Sequence, residues 1–446
     1  MNSQRQQPTV DDLKQHVAVA LAKARELGAS QAEASASFGT GLAVTVRMRS
    51  VETLEYHRDQ SLGVTVYFGH RKGSASTSDL GSGAIAETVS KACSLARYAQ
   101  EDEAAGLADP ERLARHIPAL DLWHPWPLRP EQAIEVATCC EAAALDSDPS
   151  ITNSEGASLS AHDGCRAYGN SHGFLDGFAS SSHSLSCAVL ASRGEQMERD
   201  FEYTTARDPA DLESPLVVGR EAGKRAAARL GSVKLDTCKA PVLFPARLAR
   251  SFLGHLLGAI SGGALYRKAT FLSDSMGKRV LAPCVHIDER PHIPKGLASA
   301  PYDDEGVATT DRRLVDSGVL QGYVLGSYYA RKLGLATTGN AGGVHNLVVS
   351  STGQTFAELL AAMDRGLLLS ELMGSGVNPV TGDYSRGAAG FWVEGGQIRF
   401  PVNEITIAGN LKDMYQGILA IGNDVDLRGA VRTGSILVRE MTIAGN

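Results

Sequence analysis

The sequence predicts an α+β fold. Helices pack on an antiparallel sheet in the amino-terminal part, and a β-rich carboxy-terminal domain with few helices follows. Three observations predict it. Two segments with 3.6-residue apolar spacing enclose a stretch of period-two alternation between residues 9 and 98. A second set, helix then strands then helix, fills residues 130–231. Glycine, at 47 of 446 residues, concentrates in the later half, as tight turns between strands require.

Taken in order, Thr9 is a predicted N-cap, with Asp11 and Asp12 in the first helical turn. Leu13, Val17, Leu21 and Ala24 form one apolar stripe, and Gly28 closes the helix. From Glu33 to Ala75 the period changes to two, and Ala43–Met48 and Gly63–Phe68 read as strands of a meander. Gly83–Tyr98 is a second helix, with Ile85, Val89, Ala92, Cys93 and Ala96 inward. Prolines at 118, 125, 127 and 130 predict an extended linker. A helix from Pro130 to Leu145 has proline at its start. Ile151–Tyr203, punctuated by glycine, reads as a run of short strands, and Asp211–Gly231 as a helix. After a boundary near Lys234–Pro241 come a short strand, Val242–Phe244, and a helix within Ala246–Gly263, with strands and turns beyond. The expected domains are therefore 1–117, 118–233 and 234–446. One internal echo stands out: Glu404–Asn410 is nearly repeated by Glu440–Asn446. Two copies are too few for a solenoid and read as two equivalent strands with glycine turns.

Composition excludes several functions. Hydrophobic residues at 43% and charged residues at 21% describe an ordinary globular protein. A net charge of −7, with no basic run, argues against binding nucleic acid non-specifically. The first ten residues hold no apolar core, so no secretory signal is expected, and no apolar run approaches the roughly 18 residues of a membrane span. The seven cysteines include no C-x-x-C pair, so reduced thiols and a cytoplasmic location are expected.

No local motif carries chemistry by itself. The chain has no H-E-x-x-H, and the neighbours of His255 one turn away, Ser251, Phe252, Gly258 and Ala259, are not usual ligands. His255 therefore reads as structural. Cys284, His286, Asp288, Glu289 and His292 form a cluster whose spacing fits no standard metal site. Gly169–Gly173 matches G-x-S-x-G around Ser171, but no helix follows, so a strand turn is expected instead of a nucleophile elbow. Cys139 and Cys140 lie on a helix without basic neighbours and read as structural thiols. Asp303–Gly306 and Asn378–Tyr384 read as turns. The absence of a self-sufficient motif favours a binding or partner subunit.

Several segments nevertheless carry a specific resemblance: Asn170–Phe174, Ser273–Gly277, Tyr302–Gly306, Gly318–Tyr323, Thr338–Ala341, Asn378–Ser385, Phe400–Glu404 and Ile421–Asp424. In that order they resemble the TldD/PmbA family, most closely its PmbA (TldE) branch, over essentially the whole chain. The resemblance implies a zinc metallopeptidase built as a dimer of a TldD-type and a TldE-type chain. Its substrates are unfolded or extended peptides, including microcin precursors and an antitoxin. In the TldD branch a helix carries H-E-x-x-x-H and a late cysteine completes the site. Matching that helix here puts Gly254 and Ala259 at the histidine positions and His255 at the glutamate, and no cysteine follows Cys284. The resemblance thus implies no catalytic, cofactor-binding or metal residue in this chain, with zinc expected in the partner. This chain would hold peptide on a sheet edge, sought near Gly374–Tyr384. The rival readings are a non-enzymatic peptide-binding or regulatory scaffold, and a peptidase centred on Cys284, His286, Asp288 and His292.

Overall fold

A computed structural model describes residues 7–445; residues 1–6, and Asn446 at the end of the second echo, lie outside it. The amino-terminal half contains α1 (Val10–Glu26), β1 (Gln31–Arg47), β2 (Ser50–Phe68), β3 (Arg71–Thr77), α2 (Ser82–Tyr98), α3 (Pro130–Leu145), β4 (Ile151–Asn170), β5 (Leu175–Arg193), β6 (Gln196–Ala206) and α4 (Pro215–Ala228). Thr9 caps α1 through a reciprocal capping box with Asp12, and Leu13, Val17, Ala20 and Ala24 are its buried face. The fourth helix starts four residues later than the spacing suggested. Ser214 caps it and Pro215 occupies the first position, which requires no N–H donor.

The six strands form one antiparallel sheet in the order β3-β2-β1-β4-β5-β6. Its strands are long rather than short: β4 and β5 span 20 and 19 residues. Glycines within them mark close strand approach, not strand ends. A Cβ on Gly164 would meet the Phe38 carbonyl oxygen at 2.4 Å. The sheet joins residues 31–77 to residues 151–206 through the β1–β4 pairing. One half of it carries α1 and α2, with Phe38, Val64, Ile85 and Val89 in the shared core. The other half carries α3 and α4 over Val46, Leu159, Cys187 and Val189.

The rest of the chain contains β7 (Cys238–Phe244), α5 (Ala246–Ala259), α6 (Gly262–Tyr266), β8 (Ile287–Glu289), β9 (Arg312–Asp316), β10 (Val319–Leu320), α7 (Ser327–Lys332), β11 (Leu347–Val349), α8 (Phe356–Met363), β12 (Gly366–Met373), β13 (Asp383–Glu394), β14 (Gln397–Asn410), α9 (Leu411–Gln416), β15 (Ile418–Ile421), β16 (Val431–Arg432) and β17 (Ile436–Ala444). A small sheet runs β10-β9-β8-β11-β16. The larger one runs β14-β13-β12-β7-β17-β15, and β14 also pairs with β17, which closes the sheet into a barrel. The two echo segments make that seam: Ile407 opposes Ile443, and Thr406 and Ala408 oppose Ala444 and Thr442. They are equivalent strands, and they are each other's neighbours. Alternation on β7 sends Val242 and Phe244 to the core that holds α5, and Leu243 to the core under α8. Among the described residues no helix is long and apolar enough to cross a membrane.

Candidate functional site

The helix α5 is the one that the sequence resemblance matches to a metal-bearing helix. Ala249, Phe252, Leu253, Leu256 and Ala259 are its buried face. Phe252 sits between the rings of Phe244 and Tyr415, at 4.9 and 4.8 Å. Ala259 is 2% exposed, and its carbonyl accepts a bond from Thr270 Oγ1 at 2.7 Å. Gly254 differs, because a Cβ built there meets nothing within 4 Å.

Between them His255 meets the edge of Tyr384 at 5.9 Å between centroids. Burial, and then the Arg386 charge, push its pKa below the ordinary 6.5. Its Nε2, the Tyr384 hydroxyl and Arg386 Nε are all buried without a hydrogen-bond partner. This neighbourhood offers zinc one neutral imidazole beside a guanidinium. A zinc site takes three or four donors, and a neighbouring cation opposes it. Among the described residues no group of three or more His, Cys, Asp or Glu side chains is placed to hold a metal. The residues at the position that the resemblance matches to a metal site do not fit the ion. Cys284, the last cysteine, lies with Sγ 3.8 Å from the Ile418 carbonyl, and burial raises its thiol pKa.

The cluster around Cys284 disperses into separate partners. His286 Nδ1 lies 2.9 Å from Asp316 Oδ1, whereas His292 Nε2 lies 2.9 Å from Thr309 Oγ1. Asp288 pairs with Arg313. Glu289, 2% exposed, pairs with Arg312 and accepts from Asn340 Nδ2 and the His345 N–H. Ser171 lies in the β4–β5 turn, where its Oγ accepts from the Ala32 N–H at 3.0 Å and Gly173 has φ +97°. Cys140 is held protonated by contact with the Cys187 thiol and by burial, while Cys139 is half-buried. Asp303 organises its turn by accepting from the Glu305, Val307 and Ala341 N–H groups, each at 2.9 Å, and burial pushes its carboxyl up to about 7.

The segment Gly374–Tyr384 offers no free sheet edge. Val377 bridges to Tyr384, Ser385 donates to the Gly376 carbonyl, and the Pro379 and Gly382 carbonyls accept from Phe271 and Leu411. Barrel closure has the same effect where Thr406, Ile407 and Ala408 of β14 pair with Ala444, Ile443 and Thr442 of β17. The outer edge of the first sheet, β6, is capped by side chains. Asp200 and Glu202 accept from the Phe201 and Tyr203 N–H groups, and Arg229 and Arg428 donate to the Arg199 and Tyr203 carbonyls.

Sequence reasoning missed what lies beyond that edge. A cavity of about 1050 Å³ opens between β6, α4 and the barrel, and the first residues of α5 line it. Asp200, Arg225, Arg247 and Arg428 of its lining belong to a buried ionic network. Glu198, Asp200 and Glu202 alternate along β6 and are 7%, 4% and 8% exposed. Arg229, 6% exposed, pairs with Glu198 at 3.2 Å and Glu371 at 2.7 Å, Arg247 with Asp200 at 3.4 Å, and Arg225 and Arg428 with Glu202. The acid-x-acid-x-acid spacing of β6 is the sequence signal that marks this network.

Comparison with known proteins agrees with this architecture. Three consecutive domains of one family match: PmbA/TldA metallopeptidase domain 1 over residues 32–96, its central domain over 123–230 and its C-terminal domain over 237–445. Metalloprotease PmbA of Escherichia coli O157:H7 is 51% identical over 414 residues, covering 93% of this chain and 92% of that protein. The Metalloprotease PmbA homolog of Haemophilus influenzae is 46% identical over 437 residues, covering 98% and 96%. The solved structure of TldE from Thermococcus kodakarensis shares the fold, with a TM-score of 0.86 at 20% identity over 96% of this chain and all of that one. The chain belongs to the PmbA/TldD metallopeptidase family, in its PmbA branch.

Proposed function

We propose that this chain is a PmbA/TldE-type subunit of a zinc metallopeptidase that cleaves unfolded or extended peptides, and that it holds no catalytic metal itself. The observation that carries the reading is the donor set on α5. Gly254 and Ala259 stand at the histidine positions, and His255 stands beside Arg386. The zinc and the hydrolytic chemistry belong to a TldD-type partner chain in a dimer. This chain contributes wall and binding surface to the peptide path. Seven unpaired cysteines suit a reducing, cytoplasmic location.

Co-expression with a TldD-type chain, followed by size-exclusion chromatography and an unfolded-peptide cleavage assay, tests this. The expected result is a stable complex whose cleavage survives His255→Gln in this chain. Loss of the hydrolytic step in that variant, with the complex intact, would place catalysis here. Absence of any TldD-type chain among stable partners would favour the regulatory scaffold.

A further inference from the structure

We infer that the cavity between β6, α4 and the barrel binds a carboxylate of a short peptide, with Arg432 as the principal charge and Arg207 and Ser370 lining the same cavity. Three observations carry this. First, both guanidiniums lack a carboxylate. Arg207 donates only to the Ser181 and Leu297 carbonyls, and its Nε has no partner. Arg432 makes no side-chain hydrogen bond or ion pair among the described residues, and its Nε is buried. Burial alone pulls both below the ordinary arginine pKa, with no neighbouring acid to offset it.

Second, Ser370, 7% exposed, lines the same cavity with its Oγ buried and unbonded. Arg207 Nε, Ser370 Oγ and Arg432 Nε are buried exceptions to the rule that polar atoms are partnered, and the Arg432 Nη groups, unbonded and not buried, are the donors that residue offers a ligand in the cavity. The acids of the lining are already engaged. Asp200 and Asp426 pair with arginines and Asp211 with Lys295, while Asp424 accepts from the Ser435 N–H and Oγ. Glu213 is exposed.

Third, size and wall chemistry select the ligand. The volume reaches the top of the range for small-molecule sites, about 300–1,000 Å³, so several residues of peptide fit. Phe356, Leu368, Phe391 and Leu427 supply apolar wall for a side chain next to the carboxylate. A guanidinium matches a carboxylate through paired N–H donors. The carboxylate belongs either to a free carboxy terminus or to an Asp or Glu side chain. The choice of peptide rests on the role proposed above; the carboxylate preference rests on the cavity alone.

The test is fluorescence anisotropy on the full chain with three labelled peptides of one apolar sequence: a free acid, its amide, and the amide with one glutamate. Either acidic peptide should bind at least about tenfold more tightly than the neutral amide, the size of a charge-assisted hydrogen bond. The free acid leading identifies the terminus as the source, and the glutamate peptide leading identifies the side chain. Arg432→Gln should abolish the preference, and Arg432→Lys should retain part of it. On the unmodified chain, added salt should weaken the acidic peptides and leave the neutral one unchanged. Equal binding of all three peptides, or a preference that survives Arg432→Gln, overturns the inference. That result would leave partner-dependent cleavage, which is read in a separate assay, standing.

Discussion

The first turn of α5 and its last two turns belong to one helix and carry opposite chemistry. At the start, Arg247 reaches the buried Asp200 and the Ser370 carbonyl, and the helix opens on a charged cavity. Towards the end, Gly254 and Ala259 offer no donor, and His255 packs uncharged against Tyr384. Ala259 is closed by packing, whereas the space beside Gly254 is open. The contrast teaches that position on a shared fold does not transfer chemistry. The helix that the sequence resemblance matches to a metal-bearing one here bears an apolar face and the edge of a charged cavity.

The largest effect expected from breaking this contrast lies at the charged end. Arg229→Met leaves Glu198 and Asp200 with less compensation in a buried setting. It should cost about 3–5 kcal/mol, visible as a lower denaturation midpoint. A loss no larger than that of an exposed ion pair would mean that water reaches the network freely.

An intermediate effect lies at His255. Its folded pKa is below the unfolded value of 6.5, so the folded state binds fewer protons. Its contribution to stability is therefore whole above pH 6.5 and is lost as the pH falls through the lowered value. Thermal melts below pH 6.5 should fall less steeply for His255→Gln than for the unmodified chain. Parallel slopes would show that the imidazole is solvated.

The smallest effect is at Gly254. With open space at its Cβ and a helical backbone, Gly254→Ala should stabilise the isolated chain by about 0.5–1 kcal/mol. A destabilised Gly254→Ala chain would show that the glycine is needed for packing.

Much of the fold is legible in the residues because it is written locally. The Thr9 cap, the Leu13–Val17–Ala24 stripe and the buried face of α2 all depend on spacings of three or four residues. That α5 carries one histidine and no other ligand-type side chain is read from the sequence alone. Strand length was not, because glycines inside β4 and β5 look like turn signals until a neighbouring strand is seen against them. The cavity was not legible either. Arg207, Ser370 and Arg432 come from three distant segments, and only strand order brings them together. The edge sought at Gly374–Tyr384 fails because those backbone groups bond within the loop, to Phe271 and to the start of α9, a long-range fact that period-two patterns do not carry.

The most direct measurement is metal analysis of the purified full chain after zinc loading and dialysis, paired with a peptide cleavage assay on the same sample without a partner. Less than stoichiometric zinc and no cleavage are predicted, with activity appearing when a TldD-type chain is added. One zinc per chain together with cleavage by the chain alone would contradict a metal-free subunit.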